Sequence, residues 1–195
     1  MSMSSRTPLI NTFVQHNSQI NLSAIRTPAD IFLKHITDSI ELTKIYTIPD
    51  GITLCDLGTG GGFPLLPLAI QYPWAHFVGV DGIRKKTLAI ASMATQLWLT
   101  NVEVLRSRGE HITTRYDILT ARAVTYSDIL LPLTSSLVHP WGRIILYKLH
   151  THEEDTLITQ WCRTHRATLL HRHLYQLTPD DVQRVIYIIQ TPLVR

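Results

Sequence analysis

The chain has 195 residues, 45% hydrophobic and 17% charged, enough to bury one substantial core in one domain with a small extension. Its net charge of +3, carried more by arginine than by lysine, leans toward an anionic partner such as nucleic acid. No apolar run approaches the ~20 residues of a bilayer span, the start MSMSSRTPLI lacks a secretory apolar core so that a cytoplasmic protein is expected, and two distant cysteines, Cys55 and Cys162, support neither a disulfide framework nor a zinc site.

Residues 1–26 carry little periodic signal, and the first few are expected to be disordered. Thr27-Pro28-Ala29-Asp30 reads as a helix start, with Thr27 as cap and Asp30 closing a capping box. The helix runs to about Tyr46, with Leu33, Ile36 and Ile40 on one face, and Pro49-Asp50-Gly51 makes a turn. Residues 1–50 thus form an N-terminal helical extension, and 51–195 the main domain. There, strands at 52–58, 76–81, 102–106, 116–121 and 143–148 alternate with helices at 64–71, 84–99, 126–138 and 153–165. Such alternation predicts an α/β, Rossmann-like fold whose sheet is mostly parallel. Segments 167–175 and 184–190 have no helix between them and predict a hairpin, giving an antiparallel C-terminal edge.

The stretch Leu54-Cys55-Asp56-Leu57-Gly58-Thr59-Gly60-Gly61-Gly62-Phe63-Pro64 is the most informative. An apolar strand runs into a glycine-rich turn, and Pro64 stands where a helix begins. Free amides at the loop and the helix start would favour an anionic group. The dinucleotide fingerprint is G-x-G-x-x-G with an acid about 20 residues on. Here the pattern is G-x-G-G-G, and Asp56 precedes it by two residues. An acid in that place is typical of S-adenosylmethionine (SAM) methyltransferases, since a carboxylate suits the ammonium and sulfonium of SAM. Asp81, at the tip of the second strand, can accept from both ribose hydroxyls. The plain alternative is that Asp56 and Asp81 only cap turns.

In such sheets ligands lie at the carboxyl ends of the strands. Those ends carry Asp56 to Phe63, Asp81, Ser107 to Glu110, Ala121 to Ala123, and Lys148. The pairs His150/His152 and His171/His173 could face one side of a strand, but spacing fixes no third ligand, so no metal site is expected. Trp141 suits a turn or core packing, and Trp98 and Trp161 suit helix faces.

These residues together resemble a known family, the small-subunit ribosomal RNA methyltransferase G family, also called glucose-inhibited division protein B. The likeness runs from about His16 to Gln190. Asn21-Leu22-Ser23-Ala24-Ile25-Arg26 resembles its N-L-T-x-I/V-R segment, and His35-Ile36-Thr37-Asp38-Ser39 its H-x-x-D-S motif. Asp56 to Pro64 resembles D-x-G-S/T-G-x-G-F/L-P, and Asp81 with Lys85 and Lys86 resembles D-S-x-x-K-R/K. Ser107-Arg108-Gly109-Glu110 resembles G/S-R-A-E, Ala121-Arg122-Ala123-Val124 resembles S-R-A-V/F, and Lys148 resembles the lysine before a terminal glycine. Arg84 in place of glycine, Gly109 in place of alanine, Leu149 in place of glycine and a short region before His16 depart from the pattern.

The resemblance implies SAM-dependent methylation of N7 of one guanine in 16S ribosomal RNA, guanine 527, by a cytoplasmic monomer acting on the small ribosomal subunit. It implies that Gly58, Phe63, Gly109, Glu110 and Arg122 contact SAM and that Asp56, Gly60 and Asp81 complete its pocket. His35, Asp38, Arg122, Lys148 and Arg184 would line the RNA side, with His35, Asp38, Arg122 and Lys148 as the catalytic set. A plain helix histidine packed on the core is the competing reading for His35. In this scheme Arg122 closes over the cofactor and orients the base, and Lys148 holds a phosphate. Guanine N7 carries a lone pair and no proton, so no general base is needed. Other methyltransferase substrates, a non-catalytic RNA-binding role and a nicotinamide enzyme are the alternatives. Arg122-Ala123-Val124-Thr125 stands where amino-group methyltransferases carry an N-P-P-Y-type tetrapeptide, which argues against adenine-N6 and glutamine chemistry.

Overall fold

The computed structural model describes residues 3–122 and 126–193, with side chains from residue 6 onward. Ala123, Val124 and Thr125 of the segment after Arg122, and the first two residues, lie outside the described residues.

The α/β reading holds. Seven strands form one sheet: β1 (Thr53–Leu57), β2 (His76–Asp81), β3 (Val102–Arg106), β4 (Tyr116–Arg122), β5 (Val138–Leu149), β6 (Thr168–Tyr175) and β7 (Arg184–Gln190). Their spatial order is β3-β2-β1-β4-β5-β7-β6. Strands β1 to β5 pair in parallel, and β7 pairs antiparallel to both β5 and β6. The hairpin is present, but its reversed strand lies inside the sheet and β6 forms the edge. The side chains explain the order. Val185 to Ile189 is an unbroken apolar run, fully buried, as a strand covered on both faces must be. Strand β6 carries the polar run His171, Arg172 and His173 and is mostly exposed, which suits a half-solvated edge.

Helices α4 (Leu65–Gln71), α5 (Arg84–Gln96), α6 (Ser127–Ser136) and α7 (His152–Thr164) cover the sheet. One apolar cluster gathers Leu54, Leu65, Phe77, Ile90 and Ile145, the other Leu57, Val80, Leu119, Leu131 and Ile158. Helix α5 ends before Trp98, which stands in a left-handed turn (φ +57°) and is 88% exposed, so it does not sit on a helix face. Trp141 is also in a left-handed turn and exposed, while Trp161 is on α7 and stacks on His165. Cys55 and Cys162 are free and buried.

The N-terminal part differs most from expectation. Helix α1 spans Met3–Ile20, where little periodicity was legible. Its buried stripe is Leu9, Phe13 and Asn17, a spacing of four residues interrupted by polar neighbours and by Pro8. The next helical rod begins as read, since Thr27 Oγ1 accepts from the Asp30 amide at 3.1 Å and donates to its carboxylate at 2.7 Å. It then changes pitch: α2 (Pro28–Ile31), wide π-type turns at Phe32–Thr37, α3 (Asp38–Ile40), and a tight 3₁₀ turn at Glu41–Lys44. The wide turns rotate the face. Of Leu33, Ile36 and Ile40 only Ile36 is fully buried, and His35, Asp38, Ser39 and Glu41 are buried beside it.

Candidate functional site

Strand order reverses between β1 and β4, so a crevice opens at their carboxyl ends. Asp56 on β1 is in register with Thr120 on β4. The Thr120 hydroxyl donates to Asp56 Oδ1 at 2.8 Å. Asp56 is 1% exposed, and its Oδ2, like the nearby Thr59 hydroxyl, has no hydrogen-bond partner among the described residues. Burial lifts its carboxyl to about 6, against the pull of the nearby Thr59 and Thr120 hydroxyls and the Arg122 charge. Above that pH it is a buried anion whose Oδ2 is enclosed by protein.

Gly58, Gly60 and Gly62 all take positive φ (+72°, +57° and +88°), which only glycine adopts freely. The chain therefore turns sharply over the ends of β1 and β2. Most of the amides expected to be free are engaged. Gly58 and Thr59 donate to the Val80 carbonyl, Gly62 and Phe63 to the Thr59 carbonyl, and Gly60 to Asp81 Oδ2 at 3.1 Å. The loop is tied back onto β2 by its own amides. Asp81 also accepts from Ile83 at 2.8 Å, and its two oxygens keep further lone pairs for hydroxyl donors. A group with an ammonium and a vicinal diol fits this set of acceptors better than an anion would. Gly109 and Glu110 follow β3. A Cβ at Gly109 would come within 2.7 Å of Leu133 and 3.3 Å of Leu57, so Leu133 fills the room an alanine would need. Glu110 is exposed and pairs loosely with Arg108 at 3.8 Å.

The second group of residues lines a cavity of about 940 Å³ beside this corner. The structure brings Lys34, His35, Asp38, Arg122, Lys148 and Arg184 together there, from the N-terminal rod and three strands. Asp38 is the hub, 2% exposed. Its Oδ2 accepts from Arg122 at 2.9 Å, and its Oδ1 accepts from the Tyr175 hydroxyl at 2.7 Å and pairs with Arg184 at 3.6 Å. Burial raises the Tyr175 phenol well above its ordinary range, with the Asp38 charge adding to it. Arg122 also donates to His35 Nδ1 at 3.3 Å. A guanidinium can only donate, so His35 carries its proton on Nε2 and donates it to Ser23 Oγ at 2.9 Å. Burial, then the Arg122 charge, lowers His35 to about 4. The ring is neutral at neutral pH, stacked on Phe63 at 4.6 Å, and its lone pair is engaged. Lys148 pairs with Glu154 Oε1 at 3.4 Å, and Ser127 donates to the other oxygen of Glu154. The histidine pairs hold no metal cluster among the described residues. His150 lies past the end of β5 and His152 opens α7, so they share no strand. His150 bonds Asp155 and His173 bonds Glu41.

The two groups meet over the Phe63 ring, on which His35 stacks. The Arg122 guanidinium lies over the Phe63 ring of the glycine loop at 5.7 Å and lines the cavity. Sequence reasoning did not single out Thr120, Tyr175 or Glu154. The partner of Asp56 was available from strand register, whereas Tyr175 meets Asp38 across 137 residues with no local signal.

Comparison with known proteins now decides the family. The model of the family described as rRNA small subunit methyltransferase G matches residues 5–177. The chain belongs to that family. A ribosomal RNA small subunit methyltransferase G of Staphylococcus aureus (strain bovine RF122 / ET3-1) is 31% identical over 189 residues, covering 92% of this chain and 79% of the relative. Two solved structures share the fold of this family member at low identity. They are magnesium protoporphyrin IX methyltransferase from Synechocystis PCC 6803 with bound SAM (TM-score 0.67, 13% identity, 98% of this chain and 99% of that one) and a putative RNA methyltransferase from Pyrococcus horikoshii (TM-score 0.62, 14% identity, 89% and 90%). No helix among the described residues is long and apolar enough to cross a membrane.

Proposed function

We propose that this methyltransferase G family member transfers a methyl group from SAM to N7 of a guanine in 16S ribosomal RNA, guanine 527 by the family likeness. The observation that carries it is the meeting of the two sites at Arg122, between the loop corner with its unpaired carboxylate and the cation-lined cavity.

In this reading Asp56 Oδ2 takes the ammonium of SAM and Asp81 its ribose hydroxyls. Gly58, Gly60 and Phe63 shape the floor, and Gly109 and Glu110 close the side at the end of β3. When bound, SAM supplies a methyl carbon activated by its sulfonium. Residues 1–50 act as a helical extension that carries His35 and Asp38 to the acceptor side of the domain at 51–195. Lys148 and Arg184 offer cations to the RNA. His35 is no base here, being neutral with its lone pair engaged. None is needed, because N7 attacks with a lone pair and has no proton to lose. The chain's residues act by alignment. Asp38 holds Arg122, and Arg122 fixes the acceptor beside the methyl carbon, a device worth about 7 kcal/mol or more in well-oriented systems.

The test is to incubate the protein with labelled SAM and either naked 16S RNA or small ribosomal subunits, then map the label. Label on one guanine, released by chemistry specific for N7-methylguanine, is expected. SAM binding with no label on any RNA would instead favour a binding protein.

A further inference from the structure

The cavity has an apolar mouth that the assignment above leaves without a task. Tyr126, just beyond β4 and leading into α6, is 69% exposed, and Leu149, the last residue of β5, is 54% exposed. Both line the same cavity. Tyr126 is the residue before α6 and Leu149 ends β5, so the cavity receives one from a helix start and the other from a strand end. Single exposed apolar residues need no explanation. This pair differs in its surroundings, since Lys34, Arg122, Lys148 and Arg184 line the same cavity, beside the carboxylates of Asp38, Glu153 and Glu154. An aromatic ring and a branched aliphatic group that share a cavity with four cations match a nucleotide, which offers flat apolar faces and a phosphate together. The deeper polar groups are already engaged: Asp38 holds Arg122, Tyr175 and Arg184, and Glu154 holds Lys148 and Ser127. They are rigid enough to set the depth to which a base enters, leaving its faces to the mouth. Leu149 also stands where the resemblance has glycine, so this wall belongs to the chain itself.

We propose that Tyr126 and Leu149 are the two walls of a base slot, the Tyr126 ring stacking on one face of the target purine and Leu149 packing against the other. The proposal rests on the reading of the cavity as the RNA acceptor site. A base drawn out of its stack loses its neighbours, and an exposed ring at the slot replaces one of them. Because the stack forms on binding and persists through methyl transfer, it acts on KM for RNA and little on kcat.

The experiment is steady-state methylation of the RNA substrate by Tyr126→Ala, Tyr126→Phe and Leu149→Gly proteins, with SAM affinity measured by calorimetry on each. Tyr126→Ala is expected to raise KM for RNA about 10-fold, Leu149→Gly about threefold, and neither to change the SAM dissociation constant. Tyr126→Phe, which keeps the ring, restores the KM lost in Tyr126→Ala. A KM for Tyr126→Ala within twofold of the parent overturns the slot. So does a Tyr126→Phe protein as impaired as Tyr126→Ala, since the hydroxyl would then be the active part. If the parent protein binds SAM but methylates no RNA, the proposed function fails instead. Titration with guanosine 5′-monophosphate, followed by NMR, then judges the slot: weaker binding by Tyr126→Ala supports it, and equal binding overturns it.

Discussion

The loop corner and the cavity beside it are built on opposite plans. The corner is local: Asp56, three glycines and Phe63 come from eight consecutive residues, and Asp81 joins them from the next strand. The amides of Gly58, Thr59, Gly60, Gly62 and Phe63 are spent on the corner itself, and its buried side-chain deficits are the Oδ2 of Asp56 and the hydroxyl of Thr59. The cavity is distributed. His35 and Asp38 come from the N-terminal rod, Arg122 from β4, Tyr175 from β6 and Arg184 from β7, and every oxygen of Asp38 has a partner. A site that waits for a ligand keeps a buried group unsatisfied and gives up stability for it. A site that must hold two arginines in place does so by satisfying them in advance.

That contrast is open to attack, most strongly at its hub. Asp38→Ala leaves Arg122 and Arg184 without their shared carboxylate and the Tyr175 hydroxyl without its acceptor. Removing one partner of a buried ion pair costs about 3–5 kcal/mol. Urea unfolding is expected to show a loss of that size together with loss of methyl transfer. A loss below about 1 kcal/mol would mean that the cavity is not pre-organised.

At the corner the sign is reversed. The folded-state pKa of Asp56, about 6, is above its ordinary 3.8, so its folded form binds a proton more readily than the unfolded chain. Stability therefore falls as pH rises from about 4 through about 6 and stays lower above it. Asp56→Asn keeps an acceptor for Thr120 and removes the buried charge. It is expected to raise stability at pH 7.5 by up to about 3 kcal/mol while weakening SAM binding at least 10-fold. In the parent protein SAM affinity should drop as pH falls through about 6. A variant that is less stable, or that binds SAM normally, would remove the deficit from the account.

A smaller effect is expected where the corner meets β3. Gly109→Ala sets a methyl group 2.7 Å from Leu133, an overpacking worth about 1–2 kcal/mol. Leu133→Ala in the same chain should recover part of that loss, and simple additivity in thermal unfolding would show that the two do not touch.

The smallest effect belongs to His35. Its folded-state pKa of about 4 lies below the ordinary 6.5, so its contribution is present above 6.5 and is lost as pH falls toward 4. Between pH 7.5 and 5.5 the parent should lose about 1 kcal/mol that a His35→Gln protein does not lose. Equal slopes for the two proteins would mean that His35 is more exposed than its stack on Phe63 implies.

The same contrast governs how much was legible from sequence. Strands β2, β3 and β7 begin and end where apolar patterning set them, and Asp56, Gly58, Gly60 and Asp81 gather as their spacing implied. These are local matters of turn geometry and strand period. Besides the helix face expected for Trp98 and the shared strand expected for His150 and His152, three larger readings did not carry through. Helix α1 was hidden because its buried stripe includes Asn17 and its middle is polar. The rod at 28–44 turned a different face inward because its pitch changes, and a 3.6-residue period cannot anticipate wide turns. The loop amides were expected to be free, but Val80 and Asp81 take them, a result of where β2 ends rather than of the loop itself. The partners of Asp38 were beyond local pattern altogether.

The place of β7 has a consequence for synthesis. It enters the sheet between β5 and β6 and brings Arg184, while Tyr175 comes from the strand just before it. As the chain leaves the ribosome, Asp38 emerges early and waits 137 residues for the tyrosine that completes it. The cavity is therefore finished only when the last strand slides home, and a nascent chain holding the whole glycine loop still lacks the cavity beside it.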